Sequence, residues 1–252
     1  MDLKLKGKKA IVTGASRGIG RAIAETLAAE GADIAVCARN EAGLKTAAES
    51  LARHGGRVFT KSVDVKDAKT LKTWIAEAAG QLGGIDILVP NPTGGGNPGE
   101  AAWQANFETD LMGSVRCFDA ALPFLLKSGE ASVVFISSTA AVEYFMAPIP
   151  YSALKAALIT HAKGLSQMYA AKGIRVNCIS PGPVIFEGGQ WEMMKKGMPA
   201  FYEQTVRQCA IGRMGTPEEI GRAAAFLASP VASLVTGINL VADGGFTKRV
   251  AF

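Results

Sequence analysis

Short apolar, β-branched runs alternate along the chain with longer Ala- and Leu-rich stretches. The runs at 10–13, 33–38, 58–63, 85–89, 132–137, 175–179 and 238–241 predict strands. The stretches at 18–30, 41–54, 68–81, 99–126, 151–172 and 217–228 repeat apolar residues near the 3.6-residue spacing of helices. This alternation is the pattern of repeated βα units. It predicts one α/β domain, a doubly wound parallel sheet of about seven strands with helices on both faces. The least regular stretch is roughly 181–212, where Gly, Pro, Met and aromatic residues crowd together, and a substrate lid or packed insertion is expected at about 185–212. With 252 residues the chain can bury a sizeable core as a single unit, and no linker or repeat divides it.

The turn between the first strand and the first helix reads Thr13-Gly14-Ala15-Ser16-Arg17-Gly18-Ile19-Gly20. Glycines there allow a tight turn and let a pyrophosphate approach the backbone N–H groups of a helix N-terminus. Dinucleotide sites that select NAD carry an acidic residue at the end of the second strand, where it bonds the adenosine ribose. This chain has Ala38 at that point. Arg39 follows at once and Arg17 stands in the glycine turn, so two guanidiniums are available to a 2′-phosphate, and NADPH is expected over NADH. Asp64-Val65, ending the third strand, is a candidate for the adenine edge, with a helix cap near Asp67 as the alternative reading.

Tyr151-Ser152-Ala153-Leu154-Lys155 sets a phenol and an ammonium four apart, on one face of a helix. A free phenol titrates near pH ~10, and a neighbouring cation favours the phenolate, so the pair is a candidate proton carrier. Together with the glycine turn it resembles the short-chain dehydrogenase/reductase family, over essentially the whole chain. The resemblance implies a Rossmann-type fold and hydride transfer between a nicotinamide and a carbonyl or secondary alcohol. It also implies a catalytic Ser thirteen residues before the Tyr, which is Ser138, supported by Ser137. In this scheme Ser138 holds the carbonyl oxygen, Tyr151 gives or takes its proton, and Lys155 binds the nicotinamide ribose and tunes the phenol. Asn177-Cys178-Ile179-Ser180-Pro181-Gly182-Pro183-Val184 resembles the family's nicotinamide-side turn, with Pro181 and Gly182 bending the chain and Val184 meeting the carboxamide. Leu240-Val241-Ala242-Asp243-Gly244-Gly245 resembles its terminal strand and glycine turn.

Three positions depart from the family pattern. After the fourth strand the family's Asn-Asn-Ala-Gly is replaced by Pro90-Asn91-Pro92-Thr93-Gly94-Gly95-Gly96, which keeps Asn91 for the adenosine side of the cofactor. The fourth catalytic position, an Asn seven residues after a Trp in many relatives, falls here on Asp110, seven after Trp103. In relatives that Asn anchors a water that links the Lys to solvent. A carboxylate there is expected to pair with Lys155 through water, weaken its hold on the phenolate and move the pH optimum, with Asn106 as the alternative if the register differs. Phe186 stands where relatives often carry a Thr, which puts one cofactor contact in question.

Val142, Tyr144, Phe145, Met146, Phe186, Trp191, Met193, Met194, Met198, Phe201 and Tyr202 are expected to wall an apolar pocket, or else to pack as lid helices or an oligomer contact. Lys195, Lys196, Arg207 and Arg213 could meet an acidic carrier protein or a CoA phosphate. The resemblance leaves open a 3-oxoacyl thioester or another ketone as substrate. Its alternatives are an NAD(P)-dependent alcohol, polyol or steroid dehydrogenase and, in another class, a catalytically silent dinucleotide sensor. A homodimer or homotetramer packing the helices around 100–127 and 151–172 is implied as well.

Composition changes this picture little. The net charge of +5 is modest, and the clustered N-terminal lysines lack the aromatic platform of a nucleic-acid arm, so no nucleic-acid partner is expected. No apolar run is long enough for a membrane span and no separate signal-peptide region precedes the first strand, so a cytoplasmic enzyme is expected. Cys37, Cys117, Cys178 and Cys209 are scattered without a CxxC pair, which points to small core residues and to no metal site.

Overall fold

Seven β-branched, apolar segments form one parallel sheet: β1 (Lys9–Thr13), β2 (Asp33–Ala38), β3 (Val58–Ser62), β4 (Ile87–Val89), β5 (Ala131–Ile136), β6 (Ile174–Pro181) and β7 (Asn239–Ala242). The computed structural model describes residues 2–95, 98–144 and 148–250. The strand order is β3-β2-β1-β4-β5-β6-β7, with every pairing parallel. Chain direction across the sheet reverses between β1 and β4, and a switch of this kind opens a crevice at the carboxyl ends of the strands, where α/β sheets bind ligands.

Helices cover both faces. On one lie α1 (Gly18–Ala29), α2 (Glu41–Ala52) and α9 (Pro217–Ala228), packed against Val12, Ile34, Val36 and Val134. On the other, α3 (Ala68–Leu82), α5 (Gly113–Ser128) and α6 (Pro150–Tyr169) cover Ile11, Leu88, Val133 and Val176. All four cysteines are buried. Local chemistry sets the helix starts. Asp67 accepts from Lys69 and Thr70 N–H to cap α3, Asn40 accepts from Gly43 N–H to cap α2, and Thr216 and Glu219 form a capping box ahead of α9 with Pro217 in its first turn.

Two expectations need correction. The stretch 99–126 is not one α-helix: α4 (Glu100–Asn106) passes into a π-helical segment, Phe107–Met112, before α5 resumes. Each π turn holds more than the 3.6 residues of an α-helix, so the segment shifts the phase between α4 and α5, and such turns concentrate at functional sites. The stretch 181–212, expected to be irregular, contains α7 (Gln190–Gly197) and α8 (Pro199–Gln208). Both are short, and α7 has no buried residue while α8 has only Thr205, so neither carries a run of core-facing apolar positions. No helix among the described residues is long and apolar enough to cross a membrane.

Candidate active site

The glycine turn is shaped by the approach of the β4 loop. A Cβ on Gly14 would lie 2.5 Å from Asn91 O, and one on Gly20 would lie 2.5 Å from both Asn91 Nδ2 and Gly14 O. Asn91 holds this contact by donating its amide to Thr13 O and Gly14 O, while its N–H donates to Thr13 Oγ1 at 3.1 Å. Gly14 and Ala15 N–H both donate to Cys37 O. The helix that follows begins without a side-chain cap and has no acidic residue in its first turn. Its first N–H groups, with the positive end of the helix dipole, have no side-chain cap among the described residues, an arrangement suited to an anion. Ser16 packs on Gly43 at the start of α2, and Ile19 joins the core of that face.

Arg17 and Arg39 are both exposed beside this turn. Arg17 Nη1 donates to Gly188 O at 2.8 Å, which ties the glycine turn to the segment after β6. Phe186 occupies the same junction: a Cβ on Gly18 would meet its ring at 2.6 Å. Asp64 accepts from Lys66 N–H and lies 3.7 Å from Lys66 Nζ, whereas Asp67 caps α3. Val65 is buried against Gly113.

At the carboxyl end of β6, Gly182 N–H donates to Ala242 O, and a Cβ on Gly182 would lie 2.5 Å from Asp243 Cβ, so Pro181-Gly182 turns the chain hard against the end of β7. Val184 forms a parallel bridge with Gly215 in which Ile185 N–H and Pro183 O do the bonding, leaving Val184's own N–H and C=O out of that pair. Its side chain is buried in the core.

Ser138, Tyr151 and Lys155 converge at the carboxyl end of β5. Ser138 lies two residues past the strand and caps a short 3₁₀ turn, Thr139–Ala141, accepting from Ala140 N–H at 3.2 Å. Ser137 Oγ donates to Lys155 O at 2.8 Å and pins α6 to the strand end. Pro150 begins α6, whose first turn presents Tyr151, and Lys155 Nζ lies 5.6 Å from the centre of the Tyr151 ring. Nζ donates to Ile136 O at 3.0 Å and Pro92 O at 3.2 Å.

The third neighbour of this ammonium is Asp110, with Oδ1 at 3.3 Å. The two side chains are 3% and 0% exposed, which leaves no room for the intervening water expected from the sequence: the ion pair is direct. It is a charge contact rather than a well-aligned hydrogen bond, since Oδ1 has no hydrogen-bond partner among the described residues. Oδ2 accepts from Gly94 N–H at 2.7 Å. Both neighbours of Asp110 are thus donors. A carboxylate, which only accepts, can serve both, whereas an amide could serve one and would turn its own N–H groups on the other. This is the physical reason for an aspartate beside this altered loop, and it could not be read from the departing residues one at a time. Asn106, the alternative register, is buried on α4 and donates to Ala102 O instead.

The expected apolar pocket does not form as one wall. Met193 and Met198 are exposed, Phe186 lies on the glycine turn, and Trp191 stacks on Phe201. Phe145 and Met146, like Gly96, lie outside the described residues. The four lid cations have partners within the chain. Lys196 pairs with Glu192 at 3.1 Å, Arg207 with Glu203 at 3.9 Å and Arg213 with Glu219 at 2.7 Å, while Lys195 lies over the Tyr202 ring. Hydrogen bonding from Arg213 is the main cause holding the Glu219 carboxyl down at about 2. A folded value below the ordinary 4.5 means that the clasp's stabilisation is present above that pH and fades as pH falls toward 2. A carbon-13 titration of Glu219 should accordingly show a midpoint near 2, returning to the ordinary range in Arg213→Ala.

Comparison with known proteins agrees with this geometry. Residues 14–247 match the family model described as "Enoyl-(Acyl carrier protein) reductase". The chain is 38% identical to isoepoxydon dehydrogenase of Penicillium expansum, covering 98% of each sequence. It is 33% identical to the 3-oxoacyl-(acyl-carrier-protein) reductase of Chlamydia pneumoniae, covering 98% of this chain and 100% of that one. L-sorbose reductase from Gluconobacter frateurii, solved with NADPH and L-sorbose, superposes with a TM-score of 0.90 at 32% identity, covering 99% of this chain and 100% of that one. With a parallel seven-stranded sheet, a glycine turn on the first βα unit and Ser138, Tyr151 and Lys155 gathered at one crevice, the chain belongs to the short-chain dehydrogenase/reductase family of oxidoreductases.

Proposed function

We propose that the protein is an NADPH-preferring reductase of ketones, running in reverse as a secondary-alcohol dehydrogenase, with Ser138, Tyr151 and Lys155 as its catalytic groups. The observation that carries this reading is the arrangement of Tyr151 and Lys155 on one face of α6, with the ammonium fixed by Ile136 O and Pro92 O beside the phenol. A nicotinamide supplies the hydride when bound. The residues fit such a cofactor: the uncapped start of α1 suits the pyrophosphate, Asn91 and Asp64-Val65 border the adenosine side, and Pro181, Gly182 and the Val184 backbone border the carboxamide. Ser138 Oγ would hold the substrate oxygen, Tyr151 would exchange a proton with it, and Lys155 would favour the phenolate. Exposed Trp103, Phe107 and Met168 support self-association through the α4 and α6 surfaces.

The cofactor preference rests on the absence of an acid at Ala38 and on the two arginines next to it. The direct test is turnover of a ketone panel with NADPH and with NADH. Loss of two charge-assisted contacts in Arg17→Ala/Arg39→Ala should raise KM for NADPH on the order of 10- to 100-fold and leave KM for NADH unchanged. Equal changes for both cofactors would refute the preference, since Arg17 also holds Gly188 and a structural loss would act on both.

A further inference from the structure

A cavity of about 360 Å³ lies between α8, the Glu143–Tyr144 segment and the tail after β7. Its walls come from chain that follows the carboxyl ends of β5, β6 and β7. That is the edge of the sheet where Ser138 and Tyr151 stand and where ligands bind in this architecture. Glu143 sits on the segment joining Ser138 to Tyr151, and its N–H donates to Thr139 O in the turn that Ser138 caps. At about 360 Å³ the space is near the lower end of the roughly 300–1,000 Å³ typical of ligand sites, which favours a compact occupant.

The lining is mainly apolar, with polar groups contributed along one exposed face of α8. Phe201, Gln204, Thr205 and Gln208 follow the i, i+3, i+4, i+7 spacing of one face of α8. Thr205 Oγ1 is committed to Phe201 O, but the side-chain amides of Gln204 and Gln208 make no hydrogen bond to any described residue. Each offers two donors and an acceptor, one helical turn apart. Glu143 does not compete for them. Its Oε2 accepts from Lys248 and Arg249 N–H, and Lys248 Nζ donates to Gln208 O and Gly245 O, so carboxylate and lysine fix the tail as a wall. Tyr144, Phe201 and Phe246 supply the apolar part of the lining.

We propose that this cavity receives the end of the substrate remote from the reacting carbonyl, and that the substrate is a compact hydroxylated ketone or alcohol, a hydroxylated ring or short polyol, read by Gln204 and Gln208. The proposal rests on the oxidoreductase reading above. Paired amides suit a pair of hydroxyl groups, which give and accept hydrogen bonds, and the aromatic faces suit the C–H surface of a small ring.

The test compares the full-length protein with Gln204→Leu and Gln208→Leu on three substrates with NADPH: a hydroxylated cyclohexanone, unsubstituted cyclohexanone and a 3-oxoacyl thioester. The parent should favour the hydroxylated ring by about 10-fold in kcat/KM, the scale of one or two net hydrogen bonds gained. Each variant should raise KM for that ring on the order of 10-fold at unchanged kcat, with cyclohexanone kinetics unmoved. Equal losses on both ketones, or a thioester turned over better than the hydroxylated ring, would overturn the assignment. Turnover of cyclohexanone without any hydroxyl preference overturns the substrate class alone. No turnover of any carbonyl by the parent overturns the oxidoreductase reading, and this assignment with it.

Discussion

Tyr151→Phe should lower turnover on the order of 10²–10⁴-fold and leave NADPH affinity unchanged. The change removes one oxygen and keeps the ring, so the start of α6, the 5.6 Å approach of Lys155 to the ring and the Ser137 bond to Lys155 O all remain. What is lost is the proton that the substrate oxygen must gain on reduction. Ser138 still holds that oxygen but has no positioned base of its own, since its hydroxyl accepts from Ala140 N–H. Steady-state rates together with a fluorescence titration of NADPH separate the two effects, and an active Phe variant would remove Tyr151 from its assigned role.

Lys155→Met is expected to cost stability as well as turnover. The ammonium is the only cation recorded against Asp110, and removing it leaves a fully buried carboxylate with Gly94 N–H as its one donor. Breaking a buried pair from one side typically costs about 3–5 kcal/mol, because the remaining charge is left uncompensated. Urea unfolding should show the midpoint fall at an unchanged slope. Adding Asp110→Asn to Lys155→Met should recover part of that stability, since the uncompensated charge is gone while an amide oxygen still serves Gly94, but none of the turnover. Asp110→Asn alone removes the negative charge 3.3 Å from Lys155, so the ammonium acts more fully on Tyr151. In the oxidative direction, where the phenolate is the base, the rising limb of the pH–rate profile should then move to lower pH. Superimposable profiles would show that the carboxylate only holds the loop.

The doubly wound sheet and its helices were legible because their signals are local and repeated. Each strand is a short apolar run, each core helix keeps its period, and the glycine turn sits where a βα unit must carry it. Tyr151 and Lys155 stood out through their spacing together with the glycine turn, and Ser138 through the family resemblance that those motifs carry. The break at Phe107–Met112 was not, because a phase slip of one residue leaves every apolar residue in the stretch and changes only which face it occupies. α7 and α8 escaped because they are short, lie among glycines and prolines, and turn almost no side chain into the core. The direct contact of Asp110 with Lys155 depends on Gly94 and Pro92, eighteen or fewer residues away in sequence yet positioned only by the packing of the β4 loop against α6. Gln204 and Gln208 carry no sequence signal apart from their spacing on one helix face.

The π-helical segment has a further meaning for how this long helix divides its work. Downstream, α5 turns Cys117, Phe118, Ala121 and Leu125 into the core. Upstream, α4 leaves Trp103 at the surface. An unbroken helix would fix the direction of every residue from that of its neighbours, and a position aimed at Lys155 would have to be compatible with both faces at once. The additional residue in the winding uncouples them: Asp110 is aimed by the segment itself. Composition on either side can therefore drift toward better packing or a different surface without swinging the carboxylate away from its two donors.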